Sequence, residues 1–290
     1  MAKYANREYP VIEPKDSSVI VVIVSILGLL ISFSLYFFFE KETSDQFYQR
    51  IKTITDERKA DLSQEIKINL GELLSVKAFF DASKDVSRHK FYIFTKEMLA
   101  RNPSIQALEW IPKVEFDKRK DFVESAQVEG FEEFQIKEKK DGKMVIASHR
   151  DIYYPVYFVE PFSSNEKAFG FDLGSSAIRL AALERARDEG KLVASGAITL
   201  VQETAKQKGF LVFYPVFDGP SVTQKQRHQN LKGFVLAVFR IGDMFKQSLL
   251  NKDSEAINIV LSDISDKTDS SDKREILHRY SPELASAFEI

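Results

Sequence analysis

The sequence predicts an α+β domain that follows an N-terminal transmembrane helix and a long stalk helix. Three observations carry this prediction: one charge-free apolar run near the N-terminus, a helix-spaced apolar stripe after it, and mixed strand and helix signals beyond. The strands and helices form no regular βαβ repeat, which favours antiparallel sheets and the α+β class. The 290 residues suffice for one or two packed domains.

Residues 19–39 form the apolar run, with 21 residues and no charge. A helix needs roughly 20 apolar residues to cross a bilayer. The alternative is a cleaved signal peptide, whose apolar region usually has about 7–15 residues and ends in small residues. Here the run ends in Tyr36 and three phenylalanines, followed by Glu40 and Lys41, which is typical of a membrane-interface anchor. We therefore expect an uncleaved transmembrane helix over residues 18–39.

The orientation of this helix does not follow from its flanking charges. Three basic residues lie on each side at comparable distances, so the positive-inside rule does not decide. The uneven mass favours a cytoplasmic tail of residues 1–17 and an extracytoplasmic remainder. We expect a single-pass protein of the inner (plasma) membrane.

Residues 40–85 are predicted to form a stalk helix, because apolar residues, together with Arg58 and Asn69, recur there in steps of three or four. This stripe could pack on the domain that follows. A helix of roughly 40 residues would extend about 60 Å, however, which favours a paired stalk and a homodimer. The residues assigned to the dimer contact are Phe47, Ile51, Ile54, Leu62 and Ile66.

The remainder, residues 86–290, is predicted to contain short elements. Predicted helices cover residues 91–100, residues 116–128 with Asp117 as a candidate N-cap, a segment through residue 189 that is capped by Ser175 or Ser176 and ends at Gly190, and residues around 243–250. Predicted strands cover residues 105–114, 131–136, 144–147, 153–159, 169–173, 193–201, 210–217, 234–239 and 257–262. Asp141-Gly142 is expected to form the hairpin turn between the strands at 131–136 and 144–147.

Composition and motifs exclude several functions. The net charge of −2 provides no basic field for nucleic acid, and the chain has no Cys for disulfides, thiolate metal sites or nucleophilic catalysis. Its four His residues lack metal-ligand spacing, and no phosphate-binding or nucleophile motif occurs. We therefore predict no catalytic residue, no metal site, no cofactor and no nucleic-acid partner.

Residues 150–161 are unusually rich in aromatic side chains. On a strand, Tyr153, Tyr157 and Val159 would share one face. Aromatic rings with hydroxyl tips suit a mostly apolar ligand pocket, and they suit an aromatic core equally well.

These residues belong to an ordered set of motifs that resembles the CHASE domain, the extracellular sensory module of receptor histidine kinases and cyclases. The set spans about residues 75–265 and comprises 105–112 (IQALEWIP), 147–151 (ASHRD), 153–157 (YYPVY), 170–173 (GFDL), Arg179, 183–190 (LERARDEG), 200–202 (LVQ) and 209–216 (GFLVFYPV). The resemblance implies two tandem PAS-like subdomains, with a small-molecule site in the membrane-distal one and dimerisation through the stalk.

The resemblance also bears on the ligand. In the plant cytokinin receptors of this family an Asp after the Tyr-x-Pro-Val strand recognises the ligand ring; the corresponding position here is Pro161, which argues against cytokinin. A pocket Thr of those receptors falls at Ser195, and their strand Tyr matches Tyr153. We predict a pocket formed by Tyr153, Tyr157, Leu183, Ser195 and Phe213. Asp172 is expected to bond backbone N–H groups at the following helix start.

The predicted function is therefore ligand sensing outside the cytoplasm. A CHASE receptor normally returns through a second membrane helix to a cytoplasmic kinase or cyclase, so we expect such an output domain beyond residue 290. The alternative is a bitopic membrane scaffold whose exported domain binds another protein. An exported hydrolase ranks last, because the sequence offers no nucleophile and base pair.

Overall fold

The computed structural model describes residues 14–200, 208–249, 259–262 and 276–280. The chain divides into two units, Met1–Lys59 and Ala60–Ile290. Helix α1 runs over Pro14–Ala82. Its N-terminal part is long and apolar enough to cross a membrane by length and composition, and its apolar side chains are exposed.

The remaining elements are short and alternate along the chain. The further helices are α2 (Arg88–Arg101), α3 (Arg119–Val128), α4 (Ala177–Glu189), α5 (Gln224–Asn230) and α6 (Ile241–Leu249). The strands are β1 (Ile105–Pro112), β2 (Val114–Glu115), β3 (Lys137–Lys140), β4 (Lys143–Ile146), β5 (Ile152–Tyr153), β6 (Phe158–Glu160), β7 (Val193–Ala194), β8 (Ile198–Thr199), β9 (Lys208–Phe217), β10 (Leu231–Arg240), β11 (Ile259–Ser262) and β12 (Ile276–Tyr280).

Six strands form the central sheet, in the order β6-β1-β10-β9-β7, with β8 also paired to β9. Every neighbouring pair in it is antiparallel. Strands β1, β9 and β10 are largely buried on both faces, as expected for strands that are covered on both sides. The other described sheets are the two-stranded pairs β2-β5, β3-β4 and β11-β12.

The two faces of the central sheet pack against different elements, because successive side chains of a strand point to opposite sides. We call one the helix-covered face; its buried cluster includes Leu73, Val76 and Phe80 of α1, Phe91 of α2, and Leu108, Trp110, Val235, Ala237 and Phe239 of the sheet. We call the other the cavity face; its cluster includes Ala107, Ile111, Phe213, Phe234, Leu236 and Val238 of the sheet and Ala182, Leu183 and Ala186 of α4.

A third, smaller core lies beside the sheet and is called the α3 core. It consists of Val114, Val123, Ala126, Phe134, Ile136, Ala147 and Tyr153. The hairpin β3-β4 turns at Asp141-Gly142, where both residues have positive φ (49° and 79°), as a two-residue turn of this kind requires. The predicted turn is therefore confirmed, and its first strand lies at β3.

The predicted α+β class, with a long N-terminal apolar helix before an antiparallel sheet domain, is confirmed. The division of residues 86–290 into two tandem PAS-like subdomains stays a prediction. The strand predicted at 193–201 is divided into two short strands, β7 and β8, within the described residues 193–200. Residue 201, the start of the strand predicted at 257–262 and the end of the helix predicted at 243–250 lie outside the described residues.

Three predicted strands are wrong in detail. Residues 131–136 form no strand, because local turns engage their backbone N–H groups. The Phe131 N–H donates to the Ala126 carbonyl, and the Phe134 N–H donates to the Phe131 carbonyl. The strand predicted at 153–159 is interrupted, because Pro155 has no N–H to donate and the Val156 N–H donates to the Phe171 carbonyl rather than to a neighbouring strand. Residues 169–173 join this irregular region through isolated bridges and are not a strand.

The predicted cap at Asp117 is also wrong. Asp117 lies inside a short 3₁₀ helix, Phe116–Lys118, and the residue before α3 is Lys118, which makes no side-chain cap bond. The end of α4 agrees with the prediction, because Gly190 adopts the left-handed conformation at φ 64°.

Candidate functional site

The five predicted ligand residues occupy different parts of the domain. Leu183 and Phe213 are fully buried in the cavity-face cluster, and Tyr153 is fully buried in the α3 core. Tyr157 packs between the α3 core and the helix-covered cluster. Ser195 is partly buried next to β7. The structure thus brings Leu183 and Phe213 together, whereas the two tyrosines lie with other partners.

The Tyr153 hydroxyl is held by three protein groups. It accepts from the Arg150 backbone N–H and from Arg119 Nη1, both at 3.0 Å, and donates to the Ser148 carbonyl at 3.1 Å. The Arg119 guanidinium also lies 4.8 Å from the centre of the Tyr153 ring. This hydroxyl therefore serves the packing of the 147–153 segment onto α3.

The Tyr157 ring belongs to an aromatic cage around Arg88, the first residue of α2. The guanidinium carbon lies 4.4 to 5.1 Å from the ring centres of Phe131, Tyr157, Phe158 and Phe169. The Tyr157 hydroxyl donates to Glu129 at 2.9 Å, and burial together with this carboxylate raises the Tyr157 pKa to about 12. The cage is occupied by a side chain of the protein itself.

The Ser195 hydroxyl is also engaged. It accepts from the Leu211 backbone N–H at 3.0 Å and donates to the Gly196 carbonyl at 2.8 Å, while the Ser195 N–H donates to the Leu211 carbonyl. The side chain thus extends the pairing of β7 with β9 by one residue. Its role as a ligand contact stays a prediction.

Asp172 has the structural role expected for it. Its Oδ1 accepts from the backbone N–H of Tyr154 at 2.8 Å and of Gly174 at 3.0 Å, which caps the short 3₁₀ helix before α4. Its Oδ2 lies 3.4 Å from Arg150 Nη1. Burial raises the Asp172 pKa, and the two backbone bonds and Arg150 oppose that rise.

A small cavity of about 20 Å³ lies on the cavity face, between the sheet and α4. Two ionisable side chains line it: Glu109 from the middle of β1, 2% exposed, and Arg179 from the first turn of α4, 8% exposed. The remaining lining residues are Val156, Ala168, Phe171, Leu173, Leu200, Leu211 and Val238. Buried charged groups are costly unless paired, so this is the most unusual environment of the sheet domain.

The two ionisable groups affect one another without direct contact. Within the described residues they form no ion pair, and no hydrogen bond to the Glu109 carboxyl group is present. Burial raises the Glu109 pKa to about 8, although the positive charge of Arg179 opposes that rise. Arg179 donates from Nη2 to the Thr199 carbonyl at 3.3 Å, and its buried Nε–H has no partner. Burial lowers the Arg179 pKa.

Glu109 and Arg179 both belong to the motifs of the CHASE resemblance, but neither was predicted to line the ligand site. Each stands out in the sequence. Glu109 is the charged residue within the buried middle of β1, and Arg179 lies on the helical stripe that continues through Ala182, Leu183 and Ala186, all buried.

A second concavity is an open groove of about 530 Å³ along α3. Its lining mixes aromatic, apolar, amide and oppositely charged residues: Phe116, Asp117, Arg119, Lys120, Val123, Glu124, Gln127 and Gln135. Arg119 separates this groove from the buried Tyr153. In the described ranges, no group of three His, Asp or Glu side chains is arranged to hold a metal ion.

The predicted dimer residues of α1 divide into two sets. Phe47 (62% exposed) and Ile51 (36%) are exposed, and Ile54 is half-buried. Leu62 and Ile66 pack against the helix-covered cluster of the same chain. The intramolecular interpretation of the stripe thus holds for its C-terminal part, and the exposed part is available for another contact.

Comparison with known proteins decides the family. The family model described as the CHASE domain matches residues 84–276, which is more than half of the chain. The chain belongs to the CHASE domain family. The match covers the central sheet, the α3 core and α4, so the cavity with Glu109 and Arg179 lies inside the CHASE domain.

One solved structure similar to this CHASE protein is the periplasmic sensory domain of the Campylobacter jejuni chemoreceptor Tlp1. The sequences are 14% identical, the TM-score is 0.37, and the match covers 70% of this chain and 63% of that chain. A search of curated proteins found no match.

Proposed function

We propose that this protein is the ligand-sensing part of a transmembrane receptor of the histidine kinase or diguanylate cyclase type. Residues 40–290 would lie outside the cytoplasm, with residues 18–39 in the inner membrane. The domain would bind a small molecule and pass the signal through a dimeric α1. Family membership supports the sensing role, and the apolar run of α1 supports the membrane anchor.

The observation that carries this proposal is the position of α1 against the central sheet. Leu73 and Val76 of α1 are fully buried in the helix-covered cluster, and Phe80 stacks on Trp110 of β1 at 4.3 Å. Strand β1 also contributes Glu109 to the cavity on the opposite face. One strand thus contacts both the cavity and the helix that leads to the membrane.

A ligand can drive such a signal only if it binds one arrangement of the helix better than another. A small displacement of β1 towards or away from α4 would change the surface on which Phe80 packs. Packed interfaces of this kind respond as a unit rather than by gradual deformation.

Native mass spectrometry of the full chain, purified in mild detergent, tests ligand binding. The expected result is a co-purified small molecule, or a mass shift on adding a metabolite mixture. A chain that binds none, yet captures a protein in a stable complex, would support the scaffold alternative instead.

The dimeric stalk is tested by cysteine cross-linking, which is clean because the chain has no native Cys. Single variants Phe47→Cys and Ile51→Cys should form disulfide-linked dimers in membranes. Asp56→Cys is the control, because it lies on the opposite side of the helix from Phe47 at about 100° per residue. Equal cross-linking at all three positions would contradict a specific seam.

The topology is tested with Val128→Cys, whose native side chain is 89% exposed. A membrane-impermeant maleimide should label this variant in intact spheroplasts. Labelling only after lysis would overturn the extracytoplasmic placement.

A further inference from the structure

We infer that the outer edge of strand β4 is a docking site for an extended segment of another protein, in which apolar and acidic residues alternate. The segment would add a strand to the β3-β4 hairpin, so that backbone hydrogen bonds hold it and side chains select it. The inference is carried by the backbone edge, the apolar side chains along it and the lysines beside it. It goes beyond the sensing function proposed above and does not depend on that function.

The inner edge of the hairpin is already paired. The Lys137 N–H donates to the Gly170 carbonyl at 2.8 Å, and the Lys137 carbonyl accepts from the Asp172 N–H at 2.8 Å. Lys137 therefore directs both of its backbone groups away from β4. In an antiparallel pair the residue directly opposite behaves in the same way, so Ile146 directs its N–H and C=O away from β3.

The outer edge has open hydrogen-bonding groups. Because the two kinds of residue pair alternate along an antiparallel ladder, the N–H and C=O of Met144 point outward as those of Ile146 do. Within the part of the chain that the structure describes, these groups have no hydrogen-bond partner, and β3 is the strand that pairs with β4. An edge of this kind is a template for a further strand.

The side chains along this edge are apolar and exposed. Met144 is 39% exposed, Val145 is 37% exposed and Ile146 is 63% exposed. Successive side chains of a strand point to opposite faces, so Met144 and Ile146 share one face and Val145 lies on the other. A strand placed beside β4 would therefore cover apolar surface on both faces, which favours association in addition to the backbone bonds.

The charges next to the edge indicate the chemistry of the partner. Lys139, Lys140 and Lys143 are exposed and form no ion pair among the described residues. Glu138 of the same hairpin is buried and takes part in an ion pair within the domain, and Asp141 in the turn balances one lysine of the three. A second copy of this edge would bring like charges together, which disfavours pairing, whereas acidic residues in a partner strand would be attracted.

Fluorescence anisotropy of labelled synthetic peptides, titrated with the full chain in mild detergent, tests the docking site. The first peptide has about eight residues, the length of a long strand, in which valine and glutamate alternate. The second carries lysine in place of glutamate. The third repeats the first with every amide N-methylated, so that it donates no backbone hydrogen bond. We expect saturable binding of the first peptide alone, and weaker binding as the salt concentration rises.

Two variants separate the backbone contribution from the charge. Ile146→Pro removes an outward N–H that β3 does not use, so it should weaken binding of the first peptide about tenfold or more. Ile146→Val is its control, because it keeps the N–H and an apolar branched side chain, and it should stay within about threefold of the wild type.

The charge variant is Lys143→Glu, which should weaken binding about three- to tenfold. Lys191→Glu is the matched control, because Lys191 is an exposed lysine that follows α4 and lies outside the hairpin. If Ile146→Pro does not fold, Lys143→Glu and the methylated peptide still test the two contributions.

Any of three results would overturn the inference. The first is no saturable binding of the valine and glutamate peptide to the wild type. The second is equal binding of the glutamate and lysine peptides, which would show that the lysines do not select the partner. The third is self-association of the chain, measured by sedimentation, that Ile146→Pro abolishes; the occupant of the edge would then be a second copy. None of these results affects the small-molecule binding that native mass spectrometry measures.

Discussion

The two faces of the central sheet differ in the polar groups that they bury and in whether those groups have partners. On the helix-covered face, Trp110 and Phe80 stack in an apolar cluster, and the buried polar groups next to it are neutral, such as Asn69 and Ser104, which are hydrogen-bonded at 2.8 Å. On the cavity face, the same strand places Glu109 next to Arg179, and the two face a void without pairing.

The helix-covered face is closely packed, whereas the cavity face holds a void and a buried charge without an ion-pair partner. A close-packed, stacked interface stabilises one arrangement of α1 and the sheet. An unpaired buried charge and a void both lower stability, and such departures from good packing are expected at functional sites. We therefore expect truncation of a side chain on the helix-covered face to lower the free energy of unfolding strongly. On the cavity face, replacing the Glu109 carboxylate by a neutral group should raise it.

The largest expected effect is truncation on the helix-covered face. Trp110→Ala should lower the free energy of unfolding by about 3–5 kcal/mol, because it removes the ring that stacks on Phe80 and leaves a cavity beside α1. Urea denaturation followed by circular dichroism measures the loss. Phe116→Ala is the control, since that ring is 46% exposed, and it should cost less than about 1 kcal/mol. Similar losses for both variants would mean that the face does not contribute special rigidity.

The next prediction concerns the pH dependence of stability caused by Glu109. Its pKa is raised from 4.5 to about 8 on folding, so between these values the folded state keeps a proton that the unfolded state has released. The contribution of Glu109 is therefore fully favourable below about pH 4.5 and is lost as the pH rises to about 8. Above that pH the loss is constant.

Glu109→Gln should remove the loss of stability that the wild type shows as the pH rises. The variant should be more stable than the wild type at pH 9, by on the order of 3 kcal/mol, and the difference should vanish near pH 4.5. Thermal melts at half-unit pH steps measure it. A stability difference that is the same at every pH would show that Glu109 titrates normally in the folded state.

A medium effect is expected at the start of α4. Asp172→Ala should lower the free energy of unfolding by about 2–3 kcal/mol, because the Tyr154 and Gly174 N–H groups lose a buried acceptor and Arg150 loses a counter-ion. Asp188→Ala, near the C-terminal end of α4, is the control, since that carboxylate is partly exposed. Chemical denaturation distinguishes the two, and equal losses would contradict the capping role.

The sequence predicted correctly those helices and strands whose formation depends on residues close together in the chain. The apolar spacing of α1, the runs of β9 and β10, and the Gly190 stop of α4 each follow from neighbouring residues. The irregular region around Pro155 was predicted wrongly, because its backbone partners are residues 170–172, whose approach depends on tertiary packing.

The candidate site was harder to predict for the same reason. Tyr153 and Ser195 have the right chemistry for a ligand contact, but whether a hydroxyl is free depends on partners distant in sequence, such as Arg119 and Leu211. Glu109 and Arg179 line the same cavity although they are 70 positions apart in the sequence, and no spacing rule predicts that they come together.

The smallest expected effect is at the aromatic cage around Arg88, which connects α2 with the α3 core. Arg88 belongs to α2, which packs on the helix-covered face, and its guanidinium donates to the Tyr157 carbonyl at 2.7 Å and to Glu129 at 3.3 Å. Arg88→Lys keeps the charge and loses the planar stacking on four rings, so it should cost about 1 kcal/mol. Chemical denaturation measures this cost.

The Arg88→Met variant sharpens the test of the cage, because it keeps an apolar stem and removes the charge. It should cost about 1–2 kcal/mol, since the Tyr157 carbonyl loses its charged donor and the rings lose their cation. Lys96→Met is the control, because Lys96 is an exposed residue of the same helix with its ammonium group 5.8 Å from a single ring, that of Tyr92. If Arg88→Met is as stable as Lys96→Met, the cage is held by its apolar contacts alone. The coupling between α2 and the α3 core would then run through ring packing rather than through the cation.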